Sequence, residues 1–558
     1  MTVLLLIFSS LLLLTVPMGV RRWMLSRAKH PSLAGHVRWA ARMAAWVPFY
    51  EYAEADFFSA DGAPRAAVER RRHGFNALSA RYKRMFPNSA ASARDMESAV
   101  SDLQFTARYR VPFQFSEYVR RHFPSNVFYD ESHGTMLRDL DGNLMIDLSG
   151  SYGVNTFGYD FYKACIAEGS QLVAVLGPVL GSYHPVVGYN VERLRAISGL
   201  EEVSFHMSGT EAVMQAVRLA RYHSRRRFLV RFCGAYHGWW GDVQPGVGNP
   251  SRARDTFTLA EMSAATLRVL SWRDDIACVL VNPLQAMHPN TGAPSDSTLV
   301  DSSRHAGVDR QAYGRWLAQL RDVCSLKGIA LIFDEVFVGF RLAQGGAQEF
   351  FGVEADLVTY GKTVGGGLPI GVLCGRSRWM RRYRMDSPAD VCFARGTFNT
   401  HPYVMGTMNA FLRRLNTPEI QAIYQNLDET WDSRASALNA RMSAANLPIR
   451  VVNFSSIWTV IYLRPSRYNW MLQFYLRAEG IGLSWVGTGR LIFSLNFTQK
   501  EFEAVADRLF LAASAMNADG WWAATGLTNR SIRRRVLGEM LQARRFRLTG
   551  SFSHSRTR

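Results

Sequence analysis

The spacing of hydrophobic and polar residues changes along the chain and separates regions of different structure. Residues 61–110 carry apolar positions at helical spacing among many charges, as in "AVERRRHGFNALSARYKRMF", so we expect helices there. From about residue 200 onward, short apolar runs such as "IACVLV" and "IALIFDEV" alternate with helical stretches such as "RQAYGRWLAQLRDVCSLKG". This alternation predicts an α/β fold with a mainly parallel sheet covered by helices.

Weaker signals divide the rest of the chain. Asp-Gly-Asn at Asp141–Asn143 lies between two short apolar runs and predicts a β-hairpin, and the helices and short strands after residue 414 predict a smaller α+β domain. The predicted parts are a hydrophobic membrane anchor (1–20), a helical N-terminal extension (21–125), an N-terminal segment of the main fold (126–200), a large domain (201–414), a small C-terminal domain (415–520) and a basic tail (521–558).

The first residues form an uncharged apolar run, "VLLLIFSSLLLLTVPMGV", over positions 3–20. Eighteen such residues are near the minimum for crossing a bilayer, and the basic stretch "RRWMLSRAKH" that follows favours a cytoplasmic location for the remainder. We therefore expect an uncleaved anchor, with the rest of the chain cytoplasmic. The alternatives are a signal peptide and an apolar helix packed on the protein itself.

The charge of the chain is strongly basic, with 65 Lys and Arg against 46 Asp and Glu. Residues 530–558 hold nine arginines and a single acid, Glu539, which indicates a solvated tail or a contact with anionic membrane. Because no aromatic–basic pattern of a nucleic-acid module accompanies it, we expect no nucleic-acid partner. The six cysteines show no metal-type spacing, so we expect no metal site and no disulfide framework.

One lysine stands in an unusual setting. In "DLVTYGKTVGGGLPIG", Lys362 follows an apolar strand-like run and precedes three consecutive glycines. Glycines let the backbone turn tightly or approach a ligand closely, and an apolar environment lowers the pKa of a lysine amine. Lys362 is thus a candidate for Schiff-base chemistry. The alternative is an ordinary charged residue at a strand end.

Three other segments also place candidate site residues at the end of an apolar run or at the start of a helix. Asp334 closes the apolar run "IALIFD" 28 residues before Lys362, and two parallel strands would bring both residues to one sheet edge. Ser208–Thr210 precede a helical period and could hold a phosphate, or simply cap the helix. Tyr236 and His237 lie between glycines after another strand-like run, and they could stack on a flat ring or be ordinary loop aromatics.

A lysine, a carboxylate, a phosphate cradle and a stacking aromatic are together what pyridoxal 5′-phosphate requires. Their order and spacing resemble the class III, fold-type I aminotransferases, and within them the glutamate-1-semialdehyde 2,1-aminomutase branch. The resemblance covers about residues 127–515. The segments that carry it are "SGTEA" (208–212), "YHG" (236–238), "DEVFVGFRLAQGGAQEFFGVEADLVTYGKTVGGGLPIG" (334–371), "GTFNTHP" (396–402) and the hairpin at 141–143.

The resemblance implies a fold-type I architecture, with a seven-stranded type of sheet, and a set of site residues. Lys362 would form the internal aldimine and move the substrate proton, Asp334 would pair with the pyridine nitrogen, and Tyr236 and Val336 would lie on opposite faces of the ring. Thr397 would reach the phosphate of the neighbouring subunit, which implies a homodimer with shared sites. The implied catalytic residues are Lys362, Asp334 and Tyr236; the implied cofactor-binding residues also include Ser208, Gly209, Thr210, His237, Val336 and Thr397.

The chain departs from the family pattern in two segments. "NPLQAMHPN" (282–290) replaces the usual Glu-Pro-Val, and "GTFNTHP" has Asn-Thr-His where Ser-Gly-Asn is usual; no motif places the arginine that anchors the aminomutase substrate. We therefore predict an aminotransferase that moves an amino group between a donor and a carbonyl substrate by a ping-pong cycle on Lys362. The partner would be a small amine or carbonyl compound, lipid-like or carrier-bound. The alternatives are an aminomutase and a non-catalytic membrane-bound scaffold.

Overall fold

The structure is a computed structural model that describes residues 16–32, 35–124, 127–244, 248–249, 253–287 and 305–548. Its strands, in chain order, are β1 (Tyr129–His133), β2 (Met136–Asp139), β3 (Leu144–Asp147), β4 (Glu202–His206), β5 (Phe228–Phe232), β6 (Thr256–Leu259), β7 (Ile276–Val281), β8 (Ala330–Asp334), β9 (Leu357–Gly361), β10 (Gly371–Gly375), β11 (Ile449–Phe454), β12 (Ile457–Tyr462), β13 (Ile481–Gly482) and β14 (Leu491–Ile492).

Helices account for much of the remaining chain. The α-helices are Val37–Ala44, Glu54–Phe57, Arg65–Met85, Pro87–Glu97, Ser101–Tyr109, Phe113–His122, Tyr159–Val173, Val186–Ser198, Gly209–Ser224, Ala264–Trp272, Arg310–Lys327, Gly346–Phe351, Ser377–Met380, Pro402–Arg414, Pro418–Tyr424, Leu427–Ala444, Leu472–Ala478, Gln499–Ala518 and Asn529–Leu548. Short 3-10 turns cover Gly150–Gly153, Pro283–Met287, Lys362–Gly365, Asn469–Met471 and Gly487–Gly489.

The chain divides into two compact units. Unit 1 comprises residues 1–44, 168–292 and 309–412, and unit 2 comprises residues 45–167, 293–308 and 413–558.

Unit 1 is built on a seven-stranded sheet in the order β4-β10-β9-β8-β7-β5-β6. Strands β5 to β9 run parallel to one another, whereas β10 runs antiparallel to both β9 and β4. Every residue of β7, β8, β9 and β10 is buried, as expected for strands covered by helices on both faces. The predicted α/β architecture is confirmed, and the sheet is mixed because of β10.

The helix Gly209–Ser224 shows how the sequence covers this sheet. Ala212, Val213, Ala216 and Val217 lie on one helical face, and each is at most 1% exposed. Val213, Ala216 and Val217 pack in one apolar cluster with residues of β5, β7, β8, β9 and β10. Burial of this apolar stripe, rather than local propensity, fixes the position of the helix and therefore of its first turn.

Unit 2 contains two small sheets and the helical extension. The order of the first sheet is β1-β2-β3-β13 and that of the second is β11-β12-β14. Phe57, Phe58 and Phe75 of the extension are fully buried, and they pack against Trp470 and Trp521 from the C-terminal part of unit 2. Arg71 and Asp61 form a buried ion pair, with 2.7 Å between Nη2 and Oδ2.

The basic tail is helical over Asn529–Leu548, and its single acid lies within unit 2. The carboxylate of Glu539 accepts hydrogen bonds from the hydroxyls of Tyr50 and Tyr52 and from the guanidinium of Arg467. These contacts tie the described part of the tail to the extension. Residues 549–558 lie outside the described residues.

The prediction of a membrane-anchored location is wrong, and the structure gives no support to the anchor predicted over residues 1–20. In the part of the chain that the structure describes, no helix combines the length and the apolar character needed to cross a bilayer. Residues 16–28 are helical and carry Arg21, Arg22 and Arg27. Residues 1–15 of the predicted anchor lie outside the described residues.

Candidate active site

The polar residues singled out in the sequence meet at one edge of the seven-stranded sheet. Because β4, β5, β7, β8 and β9 all point the same way, the residues that end or follow them share this edge, as sites of open α/β sheets do. The residues at this edge are Ser208 after β4, Tyr236 and His237 after β5, Asn282 after β7, Asp334 at the end of β8 and Lys362 after β9.

Asp334 is a buried carboxylate at this edge, with 4% of its surface exposed. Its Oδ2 lies 2.7 Å from Nδ1 of His237. Its Oδ1 accepts hydrogen bonds from the hydroxyl of Thr359 and the backbone N–H of Val336, both at 3.2 Å. These donors stabilise the ionised form of a carboxylate that burial alone would destabilise.

Burial favours the neutral form of His237. It is 1% exposed, and burial lowers the pKa of its imidazole, against the opposing effect of the Asp334 carboxylate. Since a carboxylate only accepts, Nδ1 carries the proton that is donated to Asp334. Nε2 is buried and has no hydrogen-bond partner among the described residues.

Lys362 lies three positions beyond Thr359, which pairs with Asp334 across β8 and β9. Its φ of 51° falls in the left-handed region, where a residue with a side chain is strained. The lysine is half-buried and begins the 3-10 turn Lys362–Gly365, with Nζ 5.4 Å from the centre of the Phe337 ring. The strained backbone turns the chain sharply at the strand end, which places the amine at the edge shared with Asp334.

The first turn of the helix Gly209–Ser224 is where the sequence predicts a phosphate cradle. Ser208 caps the helix by accepting a hydrogen bond at 3.3 Å from the N–H of Glu211, and the Glu211 carboxylate accepts one at 2.9 Å from the N–H of Met207. The first-turn N–H groups of Gly209 and Thr210 have no acceptor within an α-helix. Together with the helix dipole they favour an anion at this end.

Two glycines let these loops approach one another closely. A Cβ on Gly209 would lie 2.6 Å from Cγ1 of Val336, and a Cβ on Gly238 would lie 2.4 Å from Oγ1 of Thr210. Both distances are too short for a side chain. The helix start therefore packs directly against Val336 on one side and against the Tyr236–Gly238 loop on the other.

Tyr236 lies on a loop that is held by side chains whose role was not predicted from the sequence. The residue is 61% exposed, and its carbonyl accepts a hydrogen bond from the side chain of Asn282 at 3.1 Å. Gln285 donates in the same way to the carbonyl of Cys233 at 2.8 Å. The segment "NPLQ", noted above only as a departure from the family pattern, thus holds the aromatic loop. Its signal was two polar side chains directly after a buried strand.

Thr397 does not end or follow a strand at this edge. It lies on an exposed turn beside Gly396, where an added Cβ would lie 3.9 Å from Oε2 of Glu211. Its role toward a neighbouring subunit remains a prediction. Thr359, by contrast, contacts Asp334 directly and was missed, because a threonine inside an apolar strand gives no signal of its own.

The residues at this edge fit pyridoxal phosphate. A buried carboxylate oxygen can accept from a protonated ring nitrogen in addition to His237, because each such oxygen has two acceptor positions. The helix N-terminus favours an anion, and the exposed Tyr236, the apolar Val336 and the Lys362 amine belong to the same sheet edge. This donor set matches each chemically distinct part of the cofactor.

Comparisons with known proteins agree with this geometry. The profile of the family Aminotransferase class-III matches residues 118–511. Glutamate-1-semialdehyde 2,1-aminomutase of Geotalea daltonii is 29% identical over 367 residues, which cover 62% of this chain and 78% of that protein. A solved structure described as a transaminase with PLP bound is 25% identical, with a TM-score of 0.59 over 72% of this chain and 93% of that chain.

A third likeness supports the fold alone. The structure of a glutamate-1-semialdehyde aminomutase from Pseudomonas aeruginosa PAO1 is 17% identical, with a TM-score of 0.64 over 82% of this chain and 100% of that chain. The predicted resemblance, fold type, enzyme class and pyridoxal phosphate cofactor are confirmed. The chain belongs to the class-III aminotransferase family.

Proposed function

We propose that this protein moves an amino group between two separate small molecules, with Lys362 as the residue that holds pyridoxal phosphate. The observation that carries the proposal is the register of β8 and β9. Asp334 pairs with Thr359, so the buried carboxylate and the lysine three residues further on emerge at the same sheet edge. The cofactor-binding and catalytic roles below are part of this proposal.

Asp334 and His237 would act on the ring nitrogen. Pyridoxal phosphate supplies an electron sink when bound, and the sink requires its ring nitrogen to stay protonated. The Asp334 carboxylate would accept a hydrogen bond from the protonated ring nitrogen. The carboxylate is held in place for this, because Thr359, Val336 and His237 already orient both of its oxygens. His237 acts through Asp334 and is therefore a positioning residue.

Lys362 would move the proton at the reacting carbon of the substrate. A lysine amine that is released from the cofactor can take a proton from the substrate Cα and return it at a neighbouring atom, as general base and then general acid. Its half-buried position beside the Phe337 ring limits hydration of the amine.

The remaining residues would bind and orient. The first-turn N–H groups of Gly209 and Thr210, with the Ser208 and Thr210 hydroxyls, would hold the phosphate, while Tyr236 and Val336 would cover opposite faces of the ring. Thr397 stands on an exposed turn and would serve the site of a second subunit, so the proposal includes a homodimer. The open face of the Tyr236 ring supports its stacking role.

An aminomutase is the second candidate, because the curated relative from Geotalea daltonii carries that name. Departure of the chain at "NPLQ" favours the transferase, since Asn282 and Gln285 hold the Tyr236 loop through their own amides. We expect a pocket whose aromatic loop is held by different side chains to accept a different substrate from that of the aminomutase. The structure of a transaminase at 25% identity is consistent with the first candidate.

The experiment is a test of stoichiometry on the purified holoenzyme. A transferase mixed with one amino donor alone converts a single equivalent of cofactor to its amino form and then stops until a carbonyl acceptor is added. An aminomutase turns over glutamate-1-semialdehyde alone, with no second substrate. Continuous turnover of that single substrate would overturn the transferase, and Lys362→Ala, which should be inactive in both assays, controls for contaminating enzymes.

A further inference from the structure

Residues 28–32, here called the edge segment, lie along the outer edge of the seven-stranded sheet of unit 1. The outermost strand on this side is β6. Lys29 forms an antiparallel bridge with Leu259 of β6, and the carbonyl of Ala28 accepts a hydrogen bond from the N–H of Ala260 at 2.8 Å. Ala28 is fully buried. Backbone pairing and burial therefore fix the edge segment against a strand whose outer side would otherwise lack a partner.

Ser32 extends this contact from the sheet edge to the residue that follows β5. Its hydroxyl oxygen lies 2.7 Å from Nδ1 of His30 and 3.8 Å from Sγ of Cys233. The backbone N–H of Ser32 donates to the same Nδ1 at 3.1 Å, so this nitrogen is unprotonated and the hydroxyl donates to it. The thiol of Cys233 then donates to the Ser32 oxygen. Burial raises the pKa of this thiol, so its proton is present at neutral pH.

Cys233 begins the loop that carries Tyr236, here called the aromatic loop (residues 233–238). The N–H of Cys233 donates to the carbonyl of Leu259 at 3.0 Å, and its carbonyl accepts from the side chain of Gln285 at 2.8 Å. In the sheet, β5 lies between β7 and β6. The aromatic loop is thus supported from both sides, by the segment after β7 on one side and by β6 with the edge segment on the other.

Tyr236 depends on supports of this kind. Because the residue is 61% exposed, packing of its own side chain does little to hold it, and a loop with few buried contacts opens readily. The hydrogen bonds that fix the loop backbone therefore determine where the ring lies. The edge segment precedes residues 118–511, which match the family profile, so this chain adds a support from outside the matched region.

We propose that the edge segment positions the aromatic loop through Ser32 and so holds the Tyr236 ring in place for the cofactor. Ser32 acts through Cys233 and is therefore a positioning residue. The bond between them is a weak one, and the paired backbone of residues 28 and 29 keeps Ser32 in reach of the thiol. This inference rests on the stacking role of Tyr236 in the proposed function.

The first test is amide hydrogen exchange of the full-length protein without cofactor, followed by peptide mass spectrometry. Ala28→Glu puts a carboxylate at a fully buried position and should detach the edge segment. We expect exchange in the aromatic loop to become about tenfold faster, the usual effect of losing a hydrogen bond. Ser32→Ala should have a smaller effect in the same direction. Ser26→Ala, which changes an exposed serine of the preceding helix, should exchange like the wild type.

The second test is visible circular dichroism of the protein loaded with pyridoxal phosphate, because this signal reports how the ring is held. It should weaken in Ala28→Glu and Ser32→Ala and recover in Ser32→Thr, which keeps the hydroxyl. In a Tyr236→Ala background, Ser32→Ala should cause no further change. A purely structural role would lower the free energy of unfolding in urea and leave the cofactor signal as it is.

Two results would overturn the inference: unchanged exchange of the aromatic loop in both variants, or faster exchange with an unchanged cofactor signal. A wild-type protein without any cofactor signal would contradict the proposed function instead, and exchange in the cofactor-free protein would still decide whether the edge segment holds the loop. Should Ala28→Glu fail to fold, the comparison of Ser32→Ala with Ser32→Thr decides both measurements.

Discussion

The imidazole of His237 and the carboxylate of Asp334 lie 2.7 Å apart, Nδ1 to Oδ2, with both side chains buried. The pair links the loop after β5 to the end of β8, so an aromatic loop residue fixes the orientation of a carboxylate on a different strand. His237→Ala should therefore weaken pyridoxal phosphate binding by about tenfold, the usual effect of removing a hydrogen bond to a charged group.

Cofactor affinity of His237→Ala can be measured by equilibrium dialysis. His133→Ala is the matched control, because His133 is exposed and pairs with Asp160 on the surface of unit 2. Unchanged affinity in His237→Ala would show that the histidine does not orient Asp334 for the cofactor.

Gly209 tests the close approach of the helix start to Val336. In Gly209→Ala the new methyl group would lie 2.6 Å from Cγ1 of Val336, so the helix start or Val336 must shift, and we expect cofactor affinity to fall. The double variant with Val336→Ala should recover part of that affinity. Gly188→Ala is the control, since no atom lies within 4 Å of the position that its methyl group would take. Equal affinity in Gly209→Ala and the wild type would contradict the packing.

Glu335 predicts a pH-dependent stability. Burial raises the pKa of its carboxyl from 4.5 to about 8, with the N–H of Ala347 opposing part of the shift. The folded protein therefore holds a proton that the unfolded chain releases above pH 4.5. This contribution to stability is complete below pH 4.5 and is lost as the pH rises toward 8.

Urea unfolding at several pH values between 5 and 8 measures this effect. Glu335→Gln, which remains neutral, should remove a slope of about 1.4 kcal/mol per pH unit across that window. Glu261 has a similarly raised pKa of about 8. It contributes the same slope of unfolding free energy against pH to the wild type and to Glu335→Gln. Glu349→Gln, an exposed glutamate that accepts from the N–H of Gly345, should leave the slope unchanged. If the unfolding free energy of Glu335→Gln fell with pH as steeply as that of the wild type, Glu335 would not hold a proton in the folded protein.

The ion pair of Arg71 and Asp61 predicts that the helical extension unfolds together with the rest of unit 2. Neither side chain is exposed, and Arg71 also donates to the carbonyls of Phe58 and Gly520. Arg71→Met leaves a buried carboxylate without its partner and should cost about 3–5 kcal/mol of unfolding free energy. Arg65→Met, from the exposed pair with Glu69, should have no measurable effect. Equal stability of the two variants would indicate that the extension is only loosely attached.

Much of the site was predictable because strand ends leave a local signal. Asp334 and Lys362 each close an apolar run, and a parallel sheet brings such ends together whatever the rest of the chain does. The antiparallel β10 between β4 and β9 could not be predicted, since strand order depends on long-range packing. The supports Thr359 and Asn282 were missed for a related reason, because their importance lies in which group they contact.

The error at the N-terminus has a different cause. A count of uncharged residues at positions 3–20 shows only that the run is long enough for a bilayer crossing. The part of that segment which the structure describes continues into a helix with three arginines and ends in a bridge between Lys29 and Leu259 at the edge of the seven-stranded sheet. Length and hydrophobicity alone could not reveal this contact.

The central claim is that Lys362 holds the cofactor, and borohydride reduction tests it most directly. The wild type and Lys362→Ala, each loaded with pyridoxal phosphate, are reduced, denatured and analysed by peptide mass spectrometry. We predict that reduction removes the visible absorbance band of the wild type and attaches the cofactor to the peptide containing Lys362, with no attachment in Lys362→Ala. Attachment to another lysine in the wild type, or a wild-type protein that binds no cofactor, would contradict the assignment.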